Sequence, residues 1–131
     1  MRGFRSPALV LLCSLLALGA GMKFLSGTPE RLPYSSTLYW ASAIIETGCC
    51  LGLAVRHLRR GAAMFALAFA ATGATYAMIF RPTRCGCMGS ILDLSWREEL
   101  MVASLMGLLA SWVLLSEGRH SGAARSILGS R

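Results

Sequence analysis

The residues of this chain best suited to chemistry are two cysteines, Cys85 and Cys87, separated by one glycine. They lie in a polar interval, 81–99, between two long apolar segments. Two such thiols can exchange disulfides with a partner protein, close a fixed disulfide that holds the loop, or bind a soft metal such as Cu(I) or zinc. A neighbouring cation such as Arg84 favours the reactive thiolate form.

The spacing favours disulfide exchange over the other two alternatives. A disulfide across one intervening residue closes a small, strained ring, and strained disulfides are oxidising and labile. Gly86 relaxes the backbone between the two sulfur atoms, and Gly89 permits a turn after them. The interval contains no histidine, and two thiolates do not complete a metal site. Disulfide exchange is therefore the predicted chemistry, and no residue is assigned as a metal ligand. A structural disulfide and a bound soft metal remain the alternatives.

The composition is that of an integral membrane protein. Hydrophobic residues make up 55% of the 131 residues and charged residues 15%, whereas soluble domains have about 45–50% and about 25%. A helix needs about 20 mostly apolar residues to cross the hydrocarbon core, and it must satisfy its own backbone hydrogen bonds there. The sequence therefore predicts an all-α fold, a single integral membrane four-helix bundle over residues 1–131. Its helices are expected at about 7–25, 38–55, 61–80 and 97–115, followed by a basic, loosely ordered tail at 116–131.

The basic residues predict how the bundle lies in the membrane. Eight arginines fall on the side that carries both termini, and five basic residues fall on the other side. Positively charged loops stay in the cytoplasm, and the compact 56–60 turn weighs most in this assignment. Both termini are thus expected in the cytoplasm of a bacterial inner membrane, with the Cys85 loop in the periplasm, where disulfides persist. The larger set is Arg2, Arg5, Arg56, Arg59, Arg60, Arg119, Arg125 and Arg131, and the smaller set is Lys23, Arg31, Arg81, Arg84 and Arg97.

The net charge of +7 does not indicate nucleic-acid binding. The basic residues are spread over the ends of the apolar segments, and no basic face is interleaved with aromatic side chains. Contact with anionic lipid headgroups explains them better. The lipid bilayer is therefore the predicted partner, and nucleic acid is not.

One acidic residue, Glu46, is predicted inside the second helix, about 12 Å from its start at about 1.5 Å per residue. A carboxylate at that depth costs several kcal/mol unless it is protonated or paired. A protonated Glu46 would hydrogen-bond a neighbouring helix and tolerate Glu46→Gln. Alternatively, Glu46 is a proton acceptor or quinone contact near the thiols of Cys49 and Cys50. Lys23 is the only nearby counter-charge, and it is expected to extend outward from the first helix toward the headgroups.

The three remaining cysteines are predicted to be packing residues. Cys13 and Cys50 fall at similar depths in the first and second helices, about 9 Å and about 8 Å from the inner ends. They are therefore expected to be neighbours in the inner half of the bundle. Buried cysteine usually behaves as a small hydrophobic residue, and Cys49 is interpreted in the same way.

The run 85–89, Cys-Gly-Cys-Met-Gly, resembles the Cys-Gly-Cys-Phe-Gly signature of the methylamine utilisation protein MauE family. Met88 replaces the usual aromatic residue. The run 21–24, Gly-Met-Lys-Phe, is similar to that family's glycine–lysine stretch, and Glu46 with the glycines and leucines of 48–53 resembles its glutamate-bearing second helix. The likeness covers residues 9–115.

This resemblance implies a four-helix membrane protein, related to the DoxX-like group, that supports disulfide formation in an exported protein with a thioredoxin-like partner. Cys85 and Cys87 would be the exchanging pair of a thiol–disulfide oxidoreductase. Glu46 would be a membrane-embedded proton or quinone contact, and a quinone is the only cofactor indicated. Nothing in the sequence indicates methylamine as a substrate. The alternative is a membrane scaffold, or a copper- or zinc-handling subunit, in which the Cys-Gly-Cys loop is structural.

Overall fold

The computed structural model describes residues 7–27, 35–81 and 94–128, with side chains as far as residue 117. These residues form four helices, and all four are long and apolar enough to cross a membrane. The predicted all-α four-helix bundle is thereby confirmed. The helices are α1 (Pro7–Ser26), α2 (Ser36–Ala54), α3 (Arg59–Phe80) and α4 (Trp96–Leu128), the last with its apolar part at Trp96–Glu117.

The four helices pack as a ring. Each helix contacts its neighbours along the chain, and α1 closes the ring against α4. Contacts between early residues of one helix and late residues of the next make consecutive helices antiparallel. The bundle therefore has a loop end, at Ser26, Ser36, Phe80 and Trp96, and a turn end, at Pro7, Ala54, Arg59 and Glu117.

Leucines of α1 and alanines of α3 make much of the buried interior. Small side chains at helical spacing allow α3 to approach its neighbours closely, as in lipid-embedded bundles. The outer surface carries large apolar side chains such as Leu25, Ile79 and Leu108, which are 84%, 67% and 70% exposed. A bilayer accommodates such a surface. The buried set includes Leu9, Leu12, Leu16, Ala63, Ala66 and Ala70.

A serine precedes each of the two helices that begin at the loop end. Ser35 precedes α2, and its hydroxyl accepts a hydrogen bond from the amide of Leu38 at 3.4 Å. Ser95 precedes α4, and its amide donates to the Glu98 carboxylate at 2.7 Å. This Ser-x-x-Glu pattern is half of a capping box, which satisfies amide groups that a helix start leaves unpaired. At its other end α4 continues to Leu128, beyond the predicted limit at 115.

A buried arginine fastens the turn end. Arg59 is 6% exposed and begins α3, slightly earlier than predicted. Its Nε donates to the carbonyl oxygen of Leu53 at 3.0 Å, and its Nη1 lies 3.1 Å from Oε1 of Glu117. These contacts join the end of α2, the start of α3 and α4. Arg56 and Arg60 stay exposed beside it, where lipid headgroups can reach them.

Candidate functional site

Cys85 and Cys87 lie outside the described residues, but both anchors of their loop are described. The loop leaves α3 after Arg81 and joins α4 at Trp96. Arg81 Cζ lies 5.6 Å from the centroid of the Trp96 ring, which is a cation–π contact. This contact joins the end of α3 to the start of α4, and these two positions flank the Cys-Gly-Cys run in the sequence.

The backbone at Arg81 supports this closure. Arg81 has φ 42° and ψ 51°, a left-handed conformation that ends α3, and its amide donates to the carbonyl of Ala77 at 3.1 Å. For a residue other than glycine such a conformation costs about 1–3 kcal/mol and persists where surrounding contacts hold it. The stacking on Trp96 is such a contact, and Arg97 lies 5.3 Å from the same ring.

Lys23 and Glu46 form an ion pair inside the bundle. Lys23 Nζ lies 2.6 Å from Oε1 of Glu46 and also donates to the Ser42 hydroxyl oxygen at 3.0 Å. The Lys23 side chain is fully buried, and that of Glu46 is 7% exposed. The expectation that Lys23 extends outward to the headgroups is therefore wrong. Glu46 has a counter-charge on the neighbouring helix, as burial of a carboxylate requires.

The direction of helical side chains explains this pairing. Bonds from Cα to Cβ tilt toward the N-terminus of a helix. Lys23 lies near the C-terminal end of α1, so its side chain points down into the bundle. Glu46 lies midway along the antiparallel α2, so its side chain points up toward the loop end. The two side chains therefore converge, and a lysine near a helix C-terminus reaches the membrane interior more readily than its own headgroup region.

Gly19 makes room for the Glu46 carboxylate. A Cβ atom at Gly19 would lie 3.2 Å from Glu46 Oε2, tighter than ordinary contact. That oxygen is buried and has no hydrogen-bond partner among the described residues. Glu46 thus has one oxygen held by Lys23 and one oxygen without a donor.

A second buried carboxylate, Glu99, was not predicted as a site residue. It is 5% exposed, and its Oε2 also has no hydrogen-bond partner in the described part of the chain. The sequence analysis assigned it no role, since it falls at the end of the polar interval 81–99 and in the first turn of the helix predicted at about 97–115. The available signal was its spacing, because Glu99 precedes Val102, Ala103 and Met106 by three, four and seven residues. That pattern places it on the inward face of α4.

Glu46 and Glu99 line the same cavity. It has a volume of about 230 Å³ and lies between α2, α3 and α4, extending from the loop end to the middle of the bundle. Its wall is largely apolar, with hydroxyl groups from Ser42, Thr72 and Tyr76. Lys23 lies behind Glu46 on α1, a helix that contributes no described residue to the wall.

The cysteines of the helices behave as expected. The thiol of Cys50 lies 3.6 Å from the carbonyl oxygen of Cys13, so the prediction that these residues are neighbours is confirmed. Cys13, Cys49 and Cys50 are free thiols. Within the described ranges no three residues among histidine, cysteine, aspartate and glutamate are grouped as metal ligands would be.

Comparison of the chain with known protein families, curated proteins and solved structures finds no match. The resemblance to the MauE family therefore stays a prediction, carried by the residues that suggested it. Two features of the site bear on function: a thiol-bearing loop closed at its base, and a buried ion pair beside an acidic cavity.

Proposed function

We propose that this chain is a membrane-embedded thiol–disulfide relay that supports disulfide formation in exported proteins. Cys85 and Cys87 are its exchanging pair, and the loop that carries them faces the periplasm of a bacterial inner membrane. The observation that carries the proposal is the contact between Arg81 and Trp96, which closes the base of the Cys-Gly-Cys loop on one end of a membrane-spanning bundle. The contact supports the proposal because it holds together the two described residues that flank the Cys-Gly-Cys segment.

The exchange involves two pairs of cysteines, one in the relay and one in the partner, and the electrons that one pair loses the other gains. A thiolate of the partner attacks one sulfur of the Cys85–Cys87 disulfide, a mixed disulfide forms, and the other cysteine leaves as a thiolate. The second partner thiol then attacks the mixed disulfide, which leaves the partner oxidised and the relay as a dithiol. Two electrons and two protons pass from the partner to the relay. A disulfide-bearing, thioredoxin-like protein returns the relay to its oxidised state by the reverse sequence.

Glu46 enters the proposal as a proton contact. A proton can pass from Lys23 Nζ to Glu46 Oε1 along their 2.6 Å hydrogen bond without a change of net charge in the bundle. The geometry supports a proton role better than a quinone role, because quinone carbonyls need hydrogen-bond donors. Lys23 already donates to Glu46 and Ser42, and the hydroxyls of Ser42 and Thr72 donate to backbone carbonyls.

The test is to trap the mixed disulfide. Cys85→Ser and Cys87→Ser each remove the intramolecular resolving thiol, so one of them is expected to accumulate an adduct with a thioredoxin-like protein. A non-reducing gel of the membranes, followed by the same gel with reductant, measures it. The control carries Cys13→Ala, Cys49→Ala and Cys50→Ala and keeps the loop pair.

The alternative functions give different results in the same strains. A structural disulfide predicts less protein and no adduct in either loop variant. A copper or zinc site predicts metal that co-purifies with the wild type and is lost in both variants. Either pattern, without an adduct, would overturn the relay.

A further inference from the structure

The cavity between α2, α3 and α4 has more negative than positive charge. Glu46 and Glu99 both line it, and each is more than nine-tenths buried. Lys23 balances one of the two carboxylates. Among the described residues, the arginines at the loop end are Arg81 and Arg97, which stack on Trp96 and form no described ion pair with Glu99. With all three groups ionised, the cluster formed by Lys23, Glu46 and Glu99 has a net charge of −1.

Two carboxylate oxygens of the cavity have no hydrogen-bond donor among the described residues. Oε2 of Glu46 and Oε2 of Glu99 are buried and accept no hydrogen bond in the described part of the chain. The Ser42 and Thr72 hydroxyls use their protons on the carbonyls of Tyr39 and Ala68, at 2.7 and 2.9 Å. Buried carboxylate oxygens without donors are costly, so the site favours an occupant that brings N–H groups and a positive charge.

The size of the cavity limits the occupant. An apolar cavity of about 150 Å³ holds a benzene molecule. The space here is about 230 Å³, enough for one aromatic ring and a short alkyl arm. Apolar residues such as Phe69, Val102 and Met106 form most of the wall and suit a hydrocarbon body.

We propose that this cavity binds a small organic cation, an ammonium group carried on an apolar body about the size of one aromatic ring. The ammonium group lies against Glu99. Its positive charge balances the negative charge that Lys23 leaves uncompensated. The body lies between α3 and α4 in the apolar part of the cavity. This site goes beyond the disulfide relay and does not depend on it.

Isothermal titration of the full-length protein in non-ionic detergent tests the proposal, with phenethylammonium as probe and phenethyl alcohol as its neutral counterpart. The wild type is expected to bind the ammonium and not the alcohol. Glu99→Gln keeps the shape of the side chain and brings the cluster to zero charge. It is expected to weaken ammonium binding about 10- to 100-fold, the range for a hydrogen bond to a charged group.

A series of variants that differ in the net charge of the cluster separates the loss of ammonium binding from damage to the fold. Glu46→Gln also brings the cluster to zero and is expected to lose the ammonium. The double variant Lys23→Met with Glu46→Gln restores a net charge of −1 through Glu99 and is expected to bind again. Thermal unfolding of every variant identifies any that does not fold, and Glu99→Gln with the double variant then decides the outcome.

Several results would overturn the proposal. Equal binding of ammonium and alcohol would make the cavity a general apolar site. Unchanged affinity for phenethylammonium in Glu99→Gln would mean that the Glu99 carboxylate does not contribute to binding. A short-chain quinone that competed with phenethylammonium equally well in the wild type and in Glu99→Gln would make the natural occupant a hydrogen-bond acceptor and not a cation. None of these results affects the trapping experiment on Cys85 and Cys87, so the two proposals fail separately.

Discussion

Lys23→Met tests the ion pair inside the bundle. The substitution shortens the unbranched side chain by one atom and removes its charge, which leaves the Glu46 carboxylate without its partner on α1. The two charged atoms are 2.6 Å apart and almost fully buried. At an effective dielectric constant of about 20, Coulomb's law gives an attraction of about 6 kcal/mol before desolvation is subtracted.

The net effect on stability is smaller than that attraction. Removing one partner of a buried pair typically costs about 3–5 kcal/mol, because the other charge stays buried and unpaired. We expect Lys23→Met and Glu46→Gln each to lower the free energy of unfolding by an amount in that range. The double variant is expected to recover most of the loss, since it leaves no unpaired charge in the pair.

Denaturant unfolding in detergent micelles, followed by circular dichroism, measures these differences. The matched control is Ser42→Ala, which removes the hydrogen bond from Lys23 and the Ser42 bond to the Tyr39 carbonyl but leaves the ion pair, and it is expected to cost about 1.5–3 kcal/mol. A Glu46 that stood alone and kept its own proton would tolerate Gln. Tolerance of Glu46→Gln, or losses that simply add in the double variant, would refute the pairing.

Two further predictions concern packing and the loop base. Gly52→Ala places a Cβ 2.8 Å from the Ala62 Cβ and is expected to cost about 1–3 kcal/mol, whereas Gly48→Ala, with nothing within 4 Å, is expected to be neutral or to stabilise the protein by up to about 1 kcal/mol. Thermal unfolding of the pair measures this, and equal shifts would contradict the α2–α3 contact. Trp96→Leu removes the ring beneath Arg81 and is expected to cost about 0.5–1 kcal/mol. Trp96→Phe is expected to keep part of that stability, and the same unfolding measurement would contradict the cation–π contact if Leu and Phe behaved alike.

The fold was predictable because hydropathy determines it. Four apolar segments of membrane length leave few alternatives to four helices, and charges and prolines mark their limits. The contact between Cys13 and Cys50 was also predictable, because antiparallel neighbours place residues of equal depth side by side. The exact residues at which the helices begin and end were harder to predict from the sequence, as the early start of α3 at Arg59 illustrates.

The candidate site was predictable only in part. Glu46 was identified from its depth alone. Lys23 was recognised as the only nearby counter-charge, but the pairing was not predicted, because the tendency of lysine to extend to headgroups was weighed without the direction of the side chain. Glu99 was missed because an acidic residue at a helix start has an ordinary role there. Only the packing of α4 against α3 shows that Glu99 turns inward, whereas Glu98, one residue earlier, turns back to Ser95.

The central claim is that Cys85 and Cys87 exchange disulfides on the periplasmic side. A variant that keeps only these two cysteines can be labelled with a membrane-impermeant maleimide in intact spheroplasts over a titration of dithiothreitol. The relay predicts little labelling without reductant and full labelling at low concentrations, because a strained disulfide is easily reduced. Labelling that appears only after lysis would contradict the orientation. A disulfide that resists reduction until the protein unfolds would contradict the relay and support a structural loop.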